Sequence, residues 1–231
     1  MRDKIAMKFD HKPFNLPYEN LVAKTTPTGR TYVTPQGNIL SSVTTVLGAK
    51  TKKSLLEWRK RVGEKEANRI SRHATTRGSA VHNISERYLN NDEDYIKGEI
   101  MPHILFSWKT IKKVLDARVN NILAQEIPLY SDTLRVAGRV DLIGEFDNKL
   151  SIVDFKTSSR IKTRSQINTY FMQACAYSLM LQELTEIEIE NLVIIMVVDN
   201  DPTPLIFQEK REDWIDPLIA EITDYYENYC F

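Results

Sequence analysis

The run Leu192-Val-Ile-Ile-Met-Val-Val198 constrains the fold more than any other feature. Seven apolar residues in succession, mostly β-branched, have the length and composition of a strand. The run lacks polar alternation, so such a strand is covered on both faces. A sheet covered on both faces needs a helical layer on each side, and the rest of the chain supplies helical patterns. Lys53 to His73 carries Leu56, Val62, Ala67 and Ile70 among Lys, Arg and Glu, the period of an amphipathic helix. Further helices are predicted over Thr76–Leu89, Gln166–Glu183 and Trp214–Asn228. Another covers Pro102–Val119, with Ile104, Leu105, Trp108, Ile111 and Leu115 as its buried stripe. Ser42 to Gly48 reads as a short helix stopped by Gly48.

Strand patterns cover Asn121–Tyr130, Leu134–Phe146, Leu150–Phe155 and Leu205–Phe207. Asp147-Asn148 supplies the turn chemistry of a hairpin between the second and third of these. Thr31 to Leu40 reads as two short strands around a Pro-Gln-Gly turn, a hairpin laid over the main body. The expected fold is α/β, with a mixed central β-sheet flanked by helices. No Gly/Ser linker divides the chain. The expected organisation is one domain: an N-terminal extension over 1–41, a helical region over 42–119 and an αβ core over 120–231.

Composition excludes several classes. No stretch reaches the roughly 18 apolar residues of a membrane helix. Met1 to Phe14 has no apolar core of a secretory signal and carries acids that a transit peptide avoids, so an intracellular, cytoplasmic location is expected. Two cysteines, Cys175 and Cys230, cannot form a disulfide framework or a four-cysteine metal site. Lys+Arg and Asp+Glu both number 31, which counts against a polyanion binder over the whole surface. The charge is nevertheless segregated. Lys50–Arg77 holds ten bases against three acids, and Gln182–Phe231 holds thirteen acids against two bases. This is either a polar molecule able to hold a polyanion on one face or two solvated helix surfaces of opposite sign.

The chemistry is concentrated in Gly138-Arg-Val-Asp141 and Val153-Asp154-Phe-Lys156-Thr. Strand side chains repeat every two residues, so Asp154 and Lys156 share a face while Val153 and Phe155 enter the opposite layer. Asp141, across the hairpin, can place its carboxylate beside that of Asp154. Two converging carboxylates repel unless a cation joins them, and carboxylate oxygens suit Mg²⁺ or Mn²⁺. Lys156 then lies within reach of a water polarised by that cation, to orient or deprotonate it for attack on a phosphodiester. The plainer alternative is a salt bridge on a strand edge.

These residues resemble the core motif of the PD-(D/E)xK nucleases, in the branch similar to the RecB nuclease domain. Arg77-Gly-Ser-Ala-Val-His82 resembles the Arg-Gly-x-x-x-His motif that precedes the core there, and Gln173-Ala-Cys-Ala-Tyr177 the Gln-x-x-x-Tyr motif that follows it. Glu126 falls where the family often has an acid on the preceding strand. Leu55 to Ile70 is similar to phage exonucleases related to the mitochondrial genome maintenance exonuclease. The resemblance covers roughly Ser42 to Tyr177. The cysteine count departs from the iron–sulfur subgroup of the branch.

The resemblance implies a restriction-endonuclease-like core. It implies a metal site of His82, Asp141, Asp154 and the backbone of Phe155, with Lys156, Gln173, Tyr177 and Glu126 completing the catalytic set. A loop with four bases and no acid between Phe155 and Met172 adds candidate nucleic-acid contacts at Arg160, Lys162, Arg164 and Tyr170, with Arg77 beside them and Phe171 available for base stacking. The expected function is a metal-dependent exonuclease on single-stranded DNA ends in replication, recombination or repair, with a replication or recombination protein as a partner. The competing readings are a silent nucleic-acid-binding module, a flap endonuclease and a phosphoesterase acting on small nucleotides.

Overall fold

The computed structural model describes residues 8–230. Half of the Met1–Phe14 segment, residues 1–7, on which the expectation of no leader rests, lies outside that range. The elements run β1 (Val22–Thr26), β2 (Gly29–Val33), β3 (Ile39–Ser42), α1 (Val43–Gly48), α2 (Lys52–Val62), α3 (Glu64–Leu89) and α4 (Pro102–Arg118). There follow β4 (Val119–Ser131), β5 (Val136–Phe146), β6 (Lys149–Ser158), α5 (Asn168–Thr185), β7 (Asn191–Val198), β8 (Leu205–Lys210) and α6 (Glu212–Asn228). The strands form one mixed sheet in the order β1-β2-β3-β5-β6-β7-β8, with β4 paired to β5.

β7 lies near the middle of the sheet and is buried along its length, as an unbroken apolar run requires. Leu192, Ile194 and Met196 pack in the layer of α1, α5 and α6, whereas Val193, Ile195 and Val197 pack in the layer of α3 and α4. α5 carries the chain from β6 to the parallel strand β7 and is buried from Phe171 to Ser178. β5 and β6 meet in a two-residue turn in which Asp147 and Asn148 both have positive φ, at 50° and 62°. That is the backbone a tight I′-type hairpin turn demands, and Asp and Asn tolerate it. The α4 stripe is inside: Trp108, Ile111 and Leu115 are almost completely buried.

Four expectations are corrected. The β2–β3 hairpin does not lie over the body; it extends the sheet, because β3 pairs in parallel with the start of β5. Gly48 does not stop the helical path, because its backbone stays right-handed and a 3₁₀ turn leads directly into α2. The break comes at Gly63, with φ 86°, so one helix is split at 63 and the two predicted over 53–89 are rejoined as α2 and α3. α2 buries none of its residues: Leu55 and Leu56 are more than half exposed, and the predicted inward stripe there faces outward. Cys175 is buried in α5, and burial pushes its thiol up to about 12, so it is an inert core residue.

Candidate active site

The site forms where the sheet forks. One edge of β5 is paired with β4 along most of its length. The other edge pairs with β3 at Val136 and Ala137, then with β6 from Leu142 to Phe146. Between these contacts, residues 138–141 open onto a cleft of about 190 Å³, lined by His82, Glu126, Gly138, Arg139, Asp141, Gln173 and Tyr177, with Arg30, Tyr32 and Thr44 on the N-terminal side.

Registration puts three acids in a row across the fork. Gln125 pairs with Leu142 and Ile127 with Val140, so Glu126 lies opposite Asp141. Leu142 pairs with Val153, so Asp154 lies opposite Asp141 on its other side. The side-chain alternation of β5 slips by one residue here: Val136 and Val140 pack in the α5 layer, but Leu142 and Phe146 pack in the α3–α4 layer. Asp141 therefore meets groups from both layers. Glu126 has φ 48°, a left-handed conformation that is strained for a residue with a side chain.

Asp141 Oδ2 accepts the Phe155 backbone N–H at 2.8 Å. Its Oδ1 lies 3.5 Å from His82 Nδ1, and Glu126 Oε1 lies 3.8 Å from the same nitrogen. His82 Nε2 is 2.9 Å from the Phe155 carbonyl oxygen. A carbonyl only accepts, so Nε2 carries a hydrogen, and once the ring loses its second proton its Nδ1 lone pair is directed at the acids. The ligating atoms of His82, Glu126 and Asp141 lie within 4.8 Å of one another. Two hard oxygens and an imidazole nitrogen make a donor set that fits a divalent ion such as Mn²⁺ or Mg²⁺.

The second half of the site is a buried polar chain. Lys156 forms an ion pair with Asp154 and donates to Gln173 Oε1 at 3.3 Å. Gln173 Nε2 donates to Asp154 Oδ1 and to the Tyr177 hydroxyl, both at 3.1 Å. Gly138 admits the Tyr177 ring against β5, since a Cβ there would stand 2.7 Å from Tyr177 Cε1.

Electrostatics follow from this crowding. Burial opposes ionisation of Asp141, but His82, Lys156 and the Phe155 N–H together hold its carboxyl below the usual range. Burial, with Asp141 adding to it and Lys156 opposing, pushes Asp154 up to about 6. Burial works against the His82 cation, yet Asp141 and Glu126 carry it up to about 10. Burial also opposes the Lys156 ammonium, which Asp154 and Asp141 nevertheless hold above its ordinary value. The acids thus create a strong demand for positive charge at the point where Nδ1 faces them.

The other sequence-predicted residues divide. Asp154 is fully buried and turned to Lys156 and Gln173, so the close ligand group is His82, Glu126 and Asp141 rather than Asp141 with Asp154. The Phe155 carbonyl is engaged by His82. Arg77 is buried and ion-paired with Asp199, so it is not an exposed cation. Arg164 is ion-paired with Glu209 and lies over the Phe171 and Trp214 rings. Phe171 is buried and stacked on Trp214, which removes it as a base-stacking platform. Arg160 is exposed, and Lys162 donates to the Tyr170 hydroxyl at 2.6 Å. The Tyr170 ring carries Lys156 at 5.1 Å and Lys162 at 4.8 Å. Sequence reasoning missed Arg139, which stands within the Gly138–Asp141 motif, and Arg30, Tyr32 and Thr44, which only the joining of β3 to β5 brings to the cleft.

The family model of the PD-(D/E)XK nuclease superfamily matches residues 52–204, from the start of α2 to the β7–β8 turn. The chain belongs to the PD-(D/E)XK nuclease superfamily. A search of curated proteins gives no match. Members of this superfamily are in general metal-dependent nucleases, so nucleic acid and a divalent metal are the substrate and cofactor classes. The α/β fold with a mixed sheet between helices agrees with the restriction-endonuclease-like core of the superfamily. Among the described residues, no helix is long and apolar enough to cross a membrane.

Proposed function

We propose that the protein is a metal-dependent exonuclease on single-stranded DNA ends, in the RecB-like branch and similar to phage exonucleases of that group. The convergence of His82, Glu126 and Asp141 at the fork, with the Lys156 ammonium one residue row away, carries this reading. His82 Nδ1, Glu126 and Asp141 would hold a Mg²⁺ or Mn²⁺ ion, and the oxygens of Asp154 and Phe155, engaged by Lys156, Gln173 and His82, stand beside that group. When bound, that ion supplies Lewis-acid polarisation of a phosphodiester and lowers the pKa of water.

The chain's own groups do the rest. In the metal-free protein Asp154 and Asp141 hold the Lys156 ammonium above its ordinary value, which favours a role in stabilising charge on a phosphoryl oxygen or orienting water. Gln173 fixes both Lys156 and Asp154, and Tyr177 fixes Gln173. Arg139 and Arg30 add positive charge along the cleft, where phosphate enters. DNA in replication, recombination or repair is the expected substrate setting, with a protein of those pathways as partner.

The test is degradation of linear and circular single-stranded DNA with Mg²⁺ or Mn²⁺, labelled at each end in turn. Loss of linear DNA alone supports an end-dependent enzyme, and the order of label release gives its polarity. Cleavage of circles overturns the exonuclease reading. Lys156→Ala is expected to lower cleavage at least about 100-fold while the fold persists, and full activity in that variant removes Lys156 from the mechanism.

A further inference from the structure

We propose that the pocket between α3 and the loop after β6 is a phosphate subsite, in which Asp199 holds the buried Arg77 until a strand phosphate displaces the carboxylate. The inference rests on the strand-cleaving reading above. The pocket has a volume of about 590 Å³, and its polar lining includes Arg69, Arg77, Ser159, Arg160, Lys162 and Asp199. Arg69 is paired with Glu66, so three cations, Arg77, Arg160 and Lys162, face the one acid Asp199. The pocket adjoins the fork: Arg77 precedes His82 by five residues, about 7.5 Å along the helix, and Thr157 in its wall follows Lys156.

Arg77 is 3% exposed, yet its Nε meets no hydrogen-bond partner among the described residues. A buried guanidinium with an unused donor is expensive if its role is only to hold a loop. Asp199, its partner, sits at the end of β7 with a quarter of its side chain open to solvent. A phosphate has more acceptor oxygens than a carboxylate and matches the guanidinium fork in two-point geometry. The exposed Arg160 and half-buried Lys162 at the mouth attract the strand, and the exposed Ser159 offers a further hydroxyl. Asp199 keeps the buried cation neutralised in the free protein and gives it up to the stronger ligand.

The test is anisotropy of a short fluorescein-labelled oligothymidylate, in chelator and over a series of salt concentrations. Asp199→Asn removes the competing charge and is expected to tighten binding about three- to tenfold. A purely structural ion pair predicts unchanged or weaker binding in that variant, and that result overturns the proposal. Arg160→Ala with Lys162→Ala is expected to weaken binding and make the logarithmic salt slope shallower by about 1.4, at roughly 0.7 per phosphate contact on a single strand. An unchanged slope likewise overturns it. Should Asp199→Asn fail to fold, the double variant decides, because its two residues lie at the pocket mouth. The assay contains no metal and no cleavage. A protein that binds as expected but leaves DNA intact with Mn²⁺ refutes the nuclease reading and keeps the subsite.

Discussion

Gly138→Ala tests the geometry of the fork at one atom. The added Cβ would stand 2.7 Å from Tyr177 Cε1 and 3.1 Å from its hydroxyl oxygen. Tyr177 is 2% exposed and tied through its hydroxyl to Gln173, so the ring has little room to retreat. Overpacking of this kind costs about 1–3 kcal/mol. Replacing glycine within a strand would otherwise gain about 0.5–1 kcal/mol, so the expected net loss is about 1 kcal/mol, and at most about 2.5 kcal/mol. Urea unfolding reads it as a lower midpoint at unchanged slope. Tyr177→Ala alone is costly through its cavity, but in that background Gly138→Ala should no longer destabilise and should gain up to about 0.5–1 kcal/mol, a coupling of about 1 kcal/mol or more. A displaced Tyr177 also loosens Gln173 and hence Lys156, so activity should fall under conditions where the variant is fully folded. Equal or greater stability of Gly138→Ala in the wild-type background would refute the argument.

Two further outcomes are expected. In chelator, the contributions of His82 and Asp154 to stability should decline as pH rises. His82 is raised from 6.5 to about 10, so its contribution is fully present below about 6.5 and lost as pH rises through 10. Asp154 is raised from 3.8 to about 6, so protonation favours the folded state and this contribution is also lost as pH rises, through 6. Thermal melts of wild type and His82→Gln should diverge below about pH 9 and converge toward pH 10; parallel curves would contradict the assignment. Glu126 has φ 48°, so Glu126→Gly should unfold at higher urea than Glu126→Ala, by about 1 kcal/mol. Equal stability of the two variants would show that the left-handed backbone carries no strain.

Much of the architecture was legible because strong local signals coincide with the final packing. The Leu192–Val198 run, the Trp108–Leu115 stripe and the Asp147-Asn148 turn each adopt the conformation that their local pattern favours. The Gly63 break was hidden because helical periodicity continues on both sides, and only its φ of 86° separates α2 from α3. The outward face of α2 was hidden because Leu56 belongs to the same apolar pattern as Ala67, which is buried, while Leu56 itself is more than half exposed. At the site, period two put Asp154 with Lys156, as found. The same rule cannot foresee the slip of β5 at Asp141 or the left-handed Glu126, and those two irregularities gather His82, Glu126 and Asp141 into one group. Arg77 was read as a surface cation because nothing local announces its ion pair with Asp199 more than a hundred residues away.

Calorimetric titration of the metal-free protein with Mn²⁺ addresses the central claim most directly. Wild type should bind with defined stoichiometry and release protons at neutral pH, because His82 must lose its proton to offer Nδ1. Asp141→Asn should abolish that binding while retaining the fold by circular dichroism. Undiminished Mn²⁺ affinity in Asp141→Asn would contradict the account.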